Sequence, residues 1–225
     1  MACRIIAIDG PSASGKSTVS RRVAEVLGFI HVDSGAIYRG LTWKLLELDI
    51  RPESRAELIQ AIDSLDVRFS VRGGFMEFTI DGSDPSPFLR SAPVRERVSD
   101  IAAVPEVRQR VVEWLRAMVR FGSLVMEGRD IGSVVFPDTP FKFYLDADPL
   151  ERARRRCAEL AGAERNANLE SVHAALSSRD LKDSGRDTAP LTVSRGATVV
   201  DTTSMTAEQV ALFIVSLIRQ NSSVR

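Results

Sequence analysis

The sequence predicts an α/β fold with three layers, in which helices cover both faces of a mostly parallel central sheet. Short apolar runs alternate with stretches of helical periodicity along most of the chain, which is the pattern of successive β-α units. The first apolar run, residues 4–9, ends at a glycine-rich loop, and an amphipathic helix follows with Val19, Val23 and Leu27 on one face. With 225 residues, the chain has room for one such domain with insertions but not for two large domains.

The composition is that of a soluble globular protein, with 44% hydrophobic and 27% charged residues. The 30 basic and 30 acidic side chains balance, so no net field attracts the chain to nucleic acid or to a membrane. No apolar run approaches the length of a membrane span, and the first strand leaves no room for a signal peptide. Cys3 and Cys157 form no Cys-x-x-Cys pair. We therefore expect a cytoplasmic protein without nucleic-acid or membrane partners.

The glycine-rich loop matches the spacing G-x-x-x-x-G-K-S of a phosphate-binding P-loop. Because a strand precedes it and a helix follows, its backbone N–H groups and the helix dipole can converge on phosphate oxygens. We expect Lys16 to reach the β- and γ-phosphates of a nucleotide and the Ser17 hydroxyl to ligate Mg²⁺. A turn that merely joins strand to helix is the structural alternative. The predicted nucleotide-binding residues of this P-loop are Gly10, Pro11, Ser12, Ala13, Ser14, Gly15, Lys16, Ser17 and Thr18.

A β-rich stretch interrupts the alternation of strands and helices. A second strand over 29–32 and a helix over 33–48 continue the β-α pattern. Residues 67–71 and 75–80 then alternate between apolar and polar side chains around two glycines, which predicts a β-hairpin. We therefore predict a small β-rich insertion over residues 65–92.

The second half of the chain returns to alternating elements. The predicted elements are helices over 92–104 and 105–120, strands over 123–127, 141–146 and 197–201, and a final helix. Thr206 and Gln209, three residues apart, match a capping box at the start of that helix. The polar, arginine-rich stretch of residues 150–190 precedes the last strand, and we predict that it forms a helical lid.

Three loops with polar side chains begin where a predicted strand stops. The P-loop follows the first strand, Asp33 and Ser34 follow the second, and residues 127–130 follow the strand over 123–127. Since ligands of open α/β sheets bind at the carboxyl ends of the strands, we predict one shared site. Asp33 and Ser34 also suit the start of a helix as N-cap residues, and that alternative stays open. We interpret His31, on the second strand, as a packed core histidine.

The P-loop predicts a nucleoside triphosphate and Mg²⁺ but not the group that receives the phosphoryl group. Two classes of protein fit this pattern. One is a kinase with a second organic substrate, and the other is a nucleotide-driven switch or ATPase with water as acceptor. The Asn-Lys-x-Asp motif of GTPases and the Ser-Gly-Gly-Gln signature of transport ATPases are absent from the sequence. Arginines in motif-like settings favour a kinase, because guanidinium groups pair bidentately with phosphate oxygens, although each could be a solvated surface residue. They are Arg39, Arg108, Arg129, Arg179 and Arg186.

Several segments resemble the bacterial cytidylate kinases, a family of the nucleoside monophosphate kinase group. Beside the P-loop, Asp-Ser-Gly-Ala-Ile-Tyr-Arg at 33–39 and Gly-Arg-Asp-Ile-Gly at 128–132 match, and both are more specific than the P-loop itself. Further matches are Ser99 with Arg108, Val-Phe-Pro at 135–137, Arg179-Asp180 with Asp183 and Arg186, and Ala-Pro-Leu at 189–191. These segments span nearly the whole chain in the family's order.

The resemblance implies transfer of the γ-phosphoryl group of ATP to CMP or dCMP, with Mg²⁺, to give ADP and CDP or dCDP. It also implies a monomer whose insertion at 65–92 binds the monophosphate and whose lid at 150–190 closes over both substrates. Another P-loop small-molecule kinase, acting on UMP and CMP or on another nucleoside monophosphate, is the alternative. One departure is Glu127, where many family members have aspartate. The carboxylate is kept, so a water-mediated contact with Mg²⁺ remains open, with a reach longer by one methylene.

Individual roles also follow from the resemblance. The cytosine would be read by Ser34, Arg108 and Asp130. The sugar would lie near Ser99, Arg179 and Asp183. Acceptor or transferred phosphate would be bound by Arg39, Arg129 and Arg186. The predicted catalytic residues are Lys16, Arg129, Arg179 and Arg186. No general-base histidine is expected, because the acceptor phosphate is already an oxyanion.

Overall fold

A seven-stranded sheet runs through the centre of the computed structural model, which describes residues 3–160, 168–186 and 188–222. Its strands are β1 (Ile5–Asp9), β2 (Ile30–Asp33), β3 (Val67–Arg72), β4 (Phe75–Ile80), β5 (Leu124–Gly128), β6 (Phe141–Asp146) and β7 (Thr198–Asp201). They lie in the order β3-β4-β2-β5-β1-β6-β7, and every described pairing is parallel except that of β3 with β4. The predicted, mostly parallel sheet is confirmed.

Helices cover both faces of this sheet. They are α1 (Lys16–Leu27), α2 (Ser34–Glu47), α3 (Arg55–Ser64), α4 (Ala92–Ile101), α5 (Pro105–Ala117), α6 (Pro149–Leu160), α7 (Leu169–Ser184) and α8 (Ala207–Ser222). Successive side chains of a strand point to opposite faces, so Ile6 and Ile8 pack with α1 and α8, whereas Ala7 packs with α2 and α5. The predicted three-layer α/β fold is confirmed.

Helix boundaries shift where proline constrains the backbone. The prediction that the helix beginning at Ala92 continues to Val104 is wrong, because α4 ends at Ile101. Val104 is extended, as expected for a residue that precedes a proline, and α5 begins at Pro105. The predicted capping box of α8 is confirmed, since the residues at its start exchange hydrogen bonds of 2.8 and 3.2 Å.

The predicted hairpin lies at one edge of the sheet. Strands β3 and β4 pair along their full length, and β4 joins β2 in parallel at the pair His31–Phe75. Phe69 and Phe78 of the hairpin pack against the core that α2 and α5 share. The hairpin therefore continues the central sheet and reaches the end of β2, where α2 begins.

Helices α6 and α7 pack on each other through Ala153, Val172 and Leu176. They fall within the predicted lid of residues 150–190, of which residues 161–167 and 187 lie outside the described residues. Their arginine-rich faces lie next to the P-loop, as detailed below. No helix in the described ranges is long and apolar enough to cross a membrane.

Candidate active site

The P-loop joins β1 to α1, as the sequence predicts, and its two glycines meet steric requirements. A Cβ atom on Gly10 would lie 2.0 Å from the carbonyl oxygen of Leu145 on β6, so no larger residue fits. Gly15 has a φ of +89°, in the left-handed region that favours glycine. Since glycine supplies no side-chain cap, the first N–H groups of α1 stay available to an anion. The loop is therefore shaped as a phosphate site.

Lys16 is folded back onto the P-loop. Its Nζ atom donates hydrogen bonds to the Pro11 carbonyl oxygen at 2.5 Å and to Ser14 Oγ at 3.4 Å. Burial, and then the positive charge of Arg129, lowers the pKa of Lys16 to about 7. The negative charges of Glu127 and Asp9 only partly offset this lowering, and a bound phosphate would add the further negative charge that stabilises the ammonium.

Ser17 and Glu127 meet at the carboxyl end of the central strands. Glu127 lies on β5, in register with Ile8 of β1 and Asp33 of β2, and its Oε2 atom accepts a hydrogen bond of 2.8 Å from the Ser17 hydroxyl. Mg²⁺ with a nucleotide takes only one or two protein oxygens, because phosphates and waters supply the rest. A hydroxyl beside a carboxylate fits this pattern. Within the described ranges no cluster of three or more His, Cys, Asp or Glu side chains could hold a metal by itself.

A buried ion pair joins Arg108 to Asp130, which lies three residues after Glu127. Arg108 of α5 donates from Nη2 to Asp130 Oδ2 and from Nη1 to the Ala102 carbonyl oxygen at 3.1 Å. Both side chains are about 95% buried, and the Arg108 guanidinium carbon lies 5.5 Å from the centre of the Tyr38 ring. Burial alone would lower the pKa of Arg108, but the attraction of Asp130, together with Tyr38 and Asp183, outweighs burial and raises that pKa. The Arg108 guanidinium therefore stays charged inside the protein.

Asp33 and Ser34, at the start of α2, make different hydrogen bonds. Asp33 is the N-cap, because its carboxylate accepts a hydrogen bond of 3.0 Å from the Ala36 backbone and pairs with Arg39 at 2.8 Å. Ser34 does not cap the helix, since its hydroxyl donates to the Glu127 carbonyl oxygen at 2.7 Å. The N-cap alternative thus holds for Asp33 and not for Ser34.

An arginine cluster, formed by Arg129, Arg179 and Arg186, surrounds the carboxylate of Asp183. The Nε atoms of Arg129 and Arg179 lie 3.0 and 4.0 Å from Asp183 Oδ2, and Arg186 donates to Oδ1. Burial alone would raise the pKa of Asp183, but the three guanidinium groups hold it below its usual range. Burial, followed by Arg129, lowers the pKa of Arg179 to about 10. The cluster therefore has a surplus of positive charge.

Four arginines of this region have a buried Nε–H group without a hydrogen-bond partner. They are Arg39, Arg108, Arg179 and Arg186. Among the buried side-chain polar atoms in the described ranges, these and Ser133 Oγ are the unpartnered ones. A buried donor without an acceptor costs about 1–3 kcal/mol, and more when it is charged. An anionic ligand would supply the missing acceptors.

The chain matches known proteins along nearly its full length. The sequence model of a family described as cytidylate kinase matches residues 6–220. This chain belongs to the cytidylate kinase family. The predictions of family membership and of an ATP-dependent phosphotransferase are confirmed by this match and by the relatives described next.

Curated relatives of the cytidylate kinase family agree in length with this chain. The cytidylate kinase of Caldanaerobacter subterraneus subsp. tengcongensis is 40% identical over 217 residues, which cover 96% of this chain and 95% of the relative. That of Edwardsiella ictaluri is 39% identical over 216 residues, or 96% of each chain. That of Symbiobacterium thermophilum is 41% identical over 207 residues, or 92% of each.

A solved structure supports the fold of this cytidylate kinase family member. An uncharacterized protein from Eubacterium ventriosum superposes with a TM-score of 0.52 at 14% sequence identity. The match covers 96% of this chain and 98% of that protein. At this identity the likeness concerns the fold alone.

Helices α6 and α7 of this kinase are connected to the P-loop by Arg152, to which sequence reasoning gave no role, and by Asp180, which it placed in a family motif without a role. Arg152 of α6 donates to the Ser12 carbonyl oxygen at 3.2 Å and to Asp180 of α7, whose other carboxylate oxygen lies 3.5 Å from the Ser12 N–H. Arg129 completes the contact by donating to Ser12 Oγ at 2.7 Å. The sequence could not single out Arg152, because α6 carries a run of arginines of which only Arg152 is buried against the loop.

A cavity lies beside the P-loop on the side of β7. It measures about 470 Å³ and is lined by Ala13, Thr18, Arg155 and Thr202, among others. Arg155 donates to the Thr202 carbonyl oxygen at 2.7 Å, which fixes the wall of the cavity. Sequence reasoning had given Arg155 and Thr202 no role, although Arg155 follows Arg152 at helical spacing.

The structure brings the predicted site residues together in one region, with Ser99 at its margin. Ser99 is half-buried on α4, next to Asp100, which accepts a salt bridge of 3.0 Å from Lys182 of α7. Helices α4 and α7 therefore meet beside Ser99, one of the residues predicted to lie near the sugar. Arg129 links the P-loop to the arginine cluster through its hydrogen bonds to Ser12 and Asp183, and it directly precedes Asp130 of the buried ion pair.

Nucleotide binding is expected to take up a proton at pH 8. Lys16, with a pKa of about 7, is mostly neutral there, and the charge of bound ADP raises that pKa, so the amine gains up to about one proton. Calorimetry of ADP binding in two buffers of different ionisation enthalpy measures the uptake. At pH 6 Lys16 is already protonated and contributes little. The Lys16→Met variant lacks the amine, so its buffer dependence gives the proton uptake or release of ADP itself. If the binding enthalpy at pH 8 depended on the buffer equally in the wild type and in this variant, the expectation would be contradicted.

Proposed function

We propose that this chain transfers the γ-phosphoryl group of ATP to CMP or dCMP, giving ADP and CDP or dCDP, with Mg²⁺ as the metal ion. The observation that carries the proposal is the set of buried, unpartnered arginine Nε–H groups in and around the arginine cluster, which Arg129 links to the P-loop. A switch or ATPase with water as acceptor has no need of a second anion site. The names of the relatives, all cytidylate kinases, support the same acceptor.

The donor nucleotide would lie on the P-loop side of the network. Its phosphates would bind the backbone of residues 10–18 and the first turn of α1, and Lys16 would leave the Pro11 carbonyl for the β- and γ-phosphates. The base has room in the cavity of about 470 Å³ beside Thr202. Ser17 would hold Mg²⁺ directly and Glu127 through water, and the ion would neutralise charge on the phosphate oxygens.

The acceptor base would lie against the buried ion pair. Cytosine presents an amine donor beside a ring-nitrogen acceptor, whereas uracil presents a carbonyl beside an N–H. Asp130 can accept from the amine, Arg108 can donate to the ring nitrogen, and Ser34 lies close by on the adjacent strand end. The pair is thus suited to distinguish cytosine from uracil.

The arginine cluster would act on the phosphates of both substrates. An acceptor phosphate is already an oxyanion, so the reaction requires in-line positioning and neutralisation of charge rather than a general base. Arg129, Arg179 and Arg186 present more positive charge than Asp183 offsets, and Arg39 adds a further buried donor. Together with Lys16, these groups would stabilise the transferring phosphoryl group.

The lid would exclude water from the γ-phosphate. Arg152 and Asp180 attach α6 and α7 to Ser12, directly over the P-loop. Closure of such a segment over both substrates favours transfer to the monophosphate over hydrolysis.

Residues 65–92 are expected to respond to the monophosphate rather than to ATP. The hairpin joins β2, which ends at the start of α2, and it borders a cavity of about 220 Å³ that Asp33 and Arg39 also line. CMP alone should slow hydrogen exchange in this segment, because the bound anion orders Arg39 and its surroundings. An unreactive ATP analogue should slow it much less. The reverse order of protection would assign the segment to the donor.

The proposed acceptor is tested by ADP release with ATP, Mg²⁺ and a panel of nucleoside monophosphates. CMP and dCMP are expected to give the highest kcat/KM, with UMP below them and the purine monophosphates lowest. A rate that does not depend on any monophosphate would identify an ATPase. A preference for AMP or GMP would contradict the proposed base.

A further inference from the structure

His31, Ser20, Glu127 and Ser17 form a buried network on the face of the sheet that α1 covers. His31 of β2 pairs with Val125 of β5, so its side chain and that of Glu127, two residues on, point to the same face. Ser17 and Ser20, three residues apart on α1, lie opposite them. His31 and Glu127 are only 4% and 3% exposed.

The two carboxylate oxygens of Glu127 have separate partners. Oε2 accepts from the Ser17 hydroxyl at 2.8 Å. Oε1 lies 3.3 Å from Ser20 Oγ and 3.3 Å from His31 Nε2, and these last two atoms are 2.9 Å apart. Because a carboxylate only accepts hydrogen bonds, we assign the ring proton of His31 to Nε2. The Nε2–H group of His31 is then shared between Ser20 Oγ and Oε1, and the Ser20 hydroxyl, which also lies 3.2 Å from the Ser17 carbonyl oxygen, is the second donor beside Oε1.

This arrangement restricts a side chain that would otherwise turn freely. Glutamate has three χ angles, and its carboxylate can rotate away from a neighbour unless hydrogen bonds fix it. Ser17 alone cannot fix it, since the Ser17 hydroxyl is the group expected to turn toward the metal. His31 and Ser20 hold the carboxylate at its other oxygen and do not depend on that hydroxyl.

We propose that His31 is a positioning residue for the metal side of the nucleotide site. With Ser20, it fixes Oε1 of Glu127, so that Oε2 faces the Ser17 hydroxyl and the waters around nucleotide-bound Mg²⁺. The inference rests on the proposed function, because it requires a magnesium nucleotide at the P-loop. His31 acts through Glu127 and is not a catalytic residue. The interpretation of His31 as a buried core histidine is correct as far as packing goes, but its hydrogen bonds give it this further role.

Two substitutions separate the hydrogen bond from the packing. His31→Phe keeps a buried ring and loses the N–H donor, whereas His31→Gln keeps a donor close to the Nε2 position. The dissociation constant of AMP-PNP, an unreactive ATP analogue, is measured by calorimetry with Mg²⁺ and with EDTA. His31→Phe should weaken binding about tenfold or more with Mg²⁺ and leave it nearly unchanged with EDTA. His31→Gln should restore most of the loss. The matched control is His173→Phe, at the other histidine of the sequence, which is half-buried on α7 and should change neither value.

A double-mutant cycle tests whether His31 acts through Glu127. In a Glu127→Gln background, His31→Phe should add little further loss of Mg²⁺-dependent affinity, because its partner is already altered. Additive losses would contradict the inference. Equal loss with Mg²⁺ and with EDTA would also contradict it, since packing under the P-loop would then be the only role of His31.

A second variant keeps the test decisive if His31→Phe does not fold. Ser20→Ala removes the other group that holds Oε1 and should show the same Mg²⁺-selective loss, at a smaller size. Unchanged affinity in Ser20→Ala and His31→Gln, with no folded His31→Phe, would overturn the inference. A wild-type chain that binds AMP-PNP equally with and without Mg²⁺ would overturn the proposed function as well.

Discussion

Replacement of Lys16 by Met is expected to lower kcat about 100-fold or more, because the ammonium contact with the transferring phosphoryl group strengthens in the transition state. The fold should be kept, since among the described residues the hydrogen bonds of Lys16 go to its own loop, at Pro11 and Ser14. Removal of a buried ammonium whose pKa is lowered by burial should even stabilise the free protein slightly. Coupled ADP release gives kcat, and thermal unfolding with circular dichroism reports the fold.

A matched lysine substitution controls for loss of charge alone. Lys44 lies on α2 and pairs with Glu47 and Asp81 at 3.6 and 3.2 Å. Lys44→Met should leave kcat unchanged and lower stability by about 1 kcal/mol or less. If Lys16→Met kept a kcat near that of the wild type, Lys16 would have no place in the mechanism.

Asp130→Asn and Arg108→Met are expected to narrow the preference for CMP over UMP. A buried carboxylate facing the uracil carbonyl costs about 1–3 kcal/mol, which corresponds to roughly 5- to 150-fold in kcat/KM. An asparagine can accept from Arg108 as the aspartate does, so the Asp130 variant should fold and give the cleaner result. The KM for ATP should be nearly unchanged in both variants.

Stability distinguishes base recognition from a role that only holds the loop. Arg108→Met leaves Asp130 buried without its partner and should cost about 3–5 kcal/mol of unfolding free energy, so its kinetics are measured well below its melting temperature. If both variants lowered kcat/KM for CMP and UMP equally, the Arg108–Asp130 pair would only hold the loop in place. An unchanged CMP:UMP ratio would thus remove both residues from base recognition.

Local patterns were sufficient to predict the fold and the P-loop. The spacing of Gly10 and Gly15 reflects two steric requirements of this loop, a close approach to β6 and a left-handed turn. The apolar runs of β1 and β5 follow from burial on both faces, and alternation in the hairpin follows from its position at the edge. The end of α4 was missed because the helical pattern continued past the point where Pro105 stops it.

Sequence patterns could not predict contacts between residues that lie far apart along the chain. Ser17 meets Glu127 across 110 positions, and Arg152 meets Ser12 across 140. The resemblance to cytidylate kinases brought the arginines into one site, but it could not show that Arg152 rather than its neighbours reaches the P-loop. His31 was likewise correctly interpreted as buried, while its hydrogen bond to Glu127 depends on the register of β2 with β5.

The fate of the γ-phosphoryl group tests the central claim most directly. Wild-type chain is incubated with Mg²⁺, CMP and ATP labelled at the γ-position, and the products are separated by anion exchange. The label is expected in the β-phosphate of CDP at the rate at which ADP appears, with little inorganic phosphate, because the lid and the arginine network hold the acceptor in place of water. Label released as inorganic phosphate at the same rate with and without CMP would contradict the account.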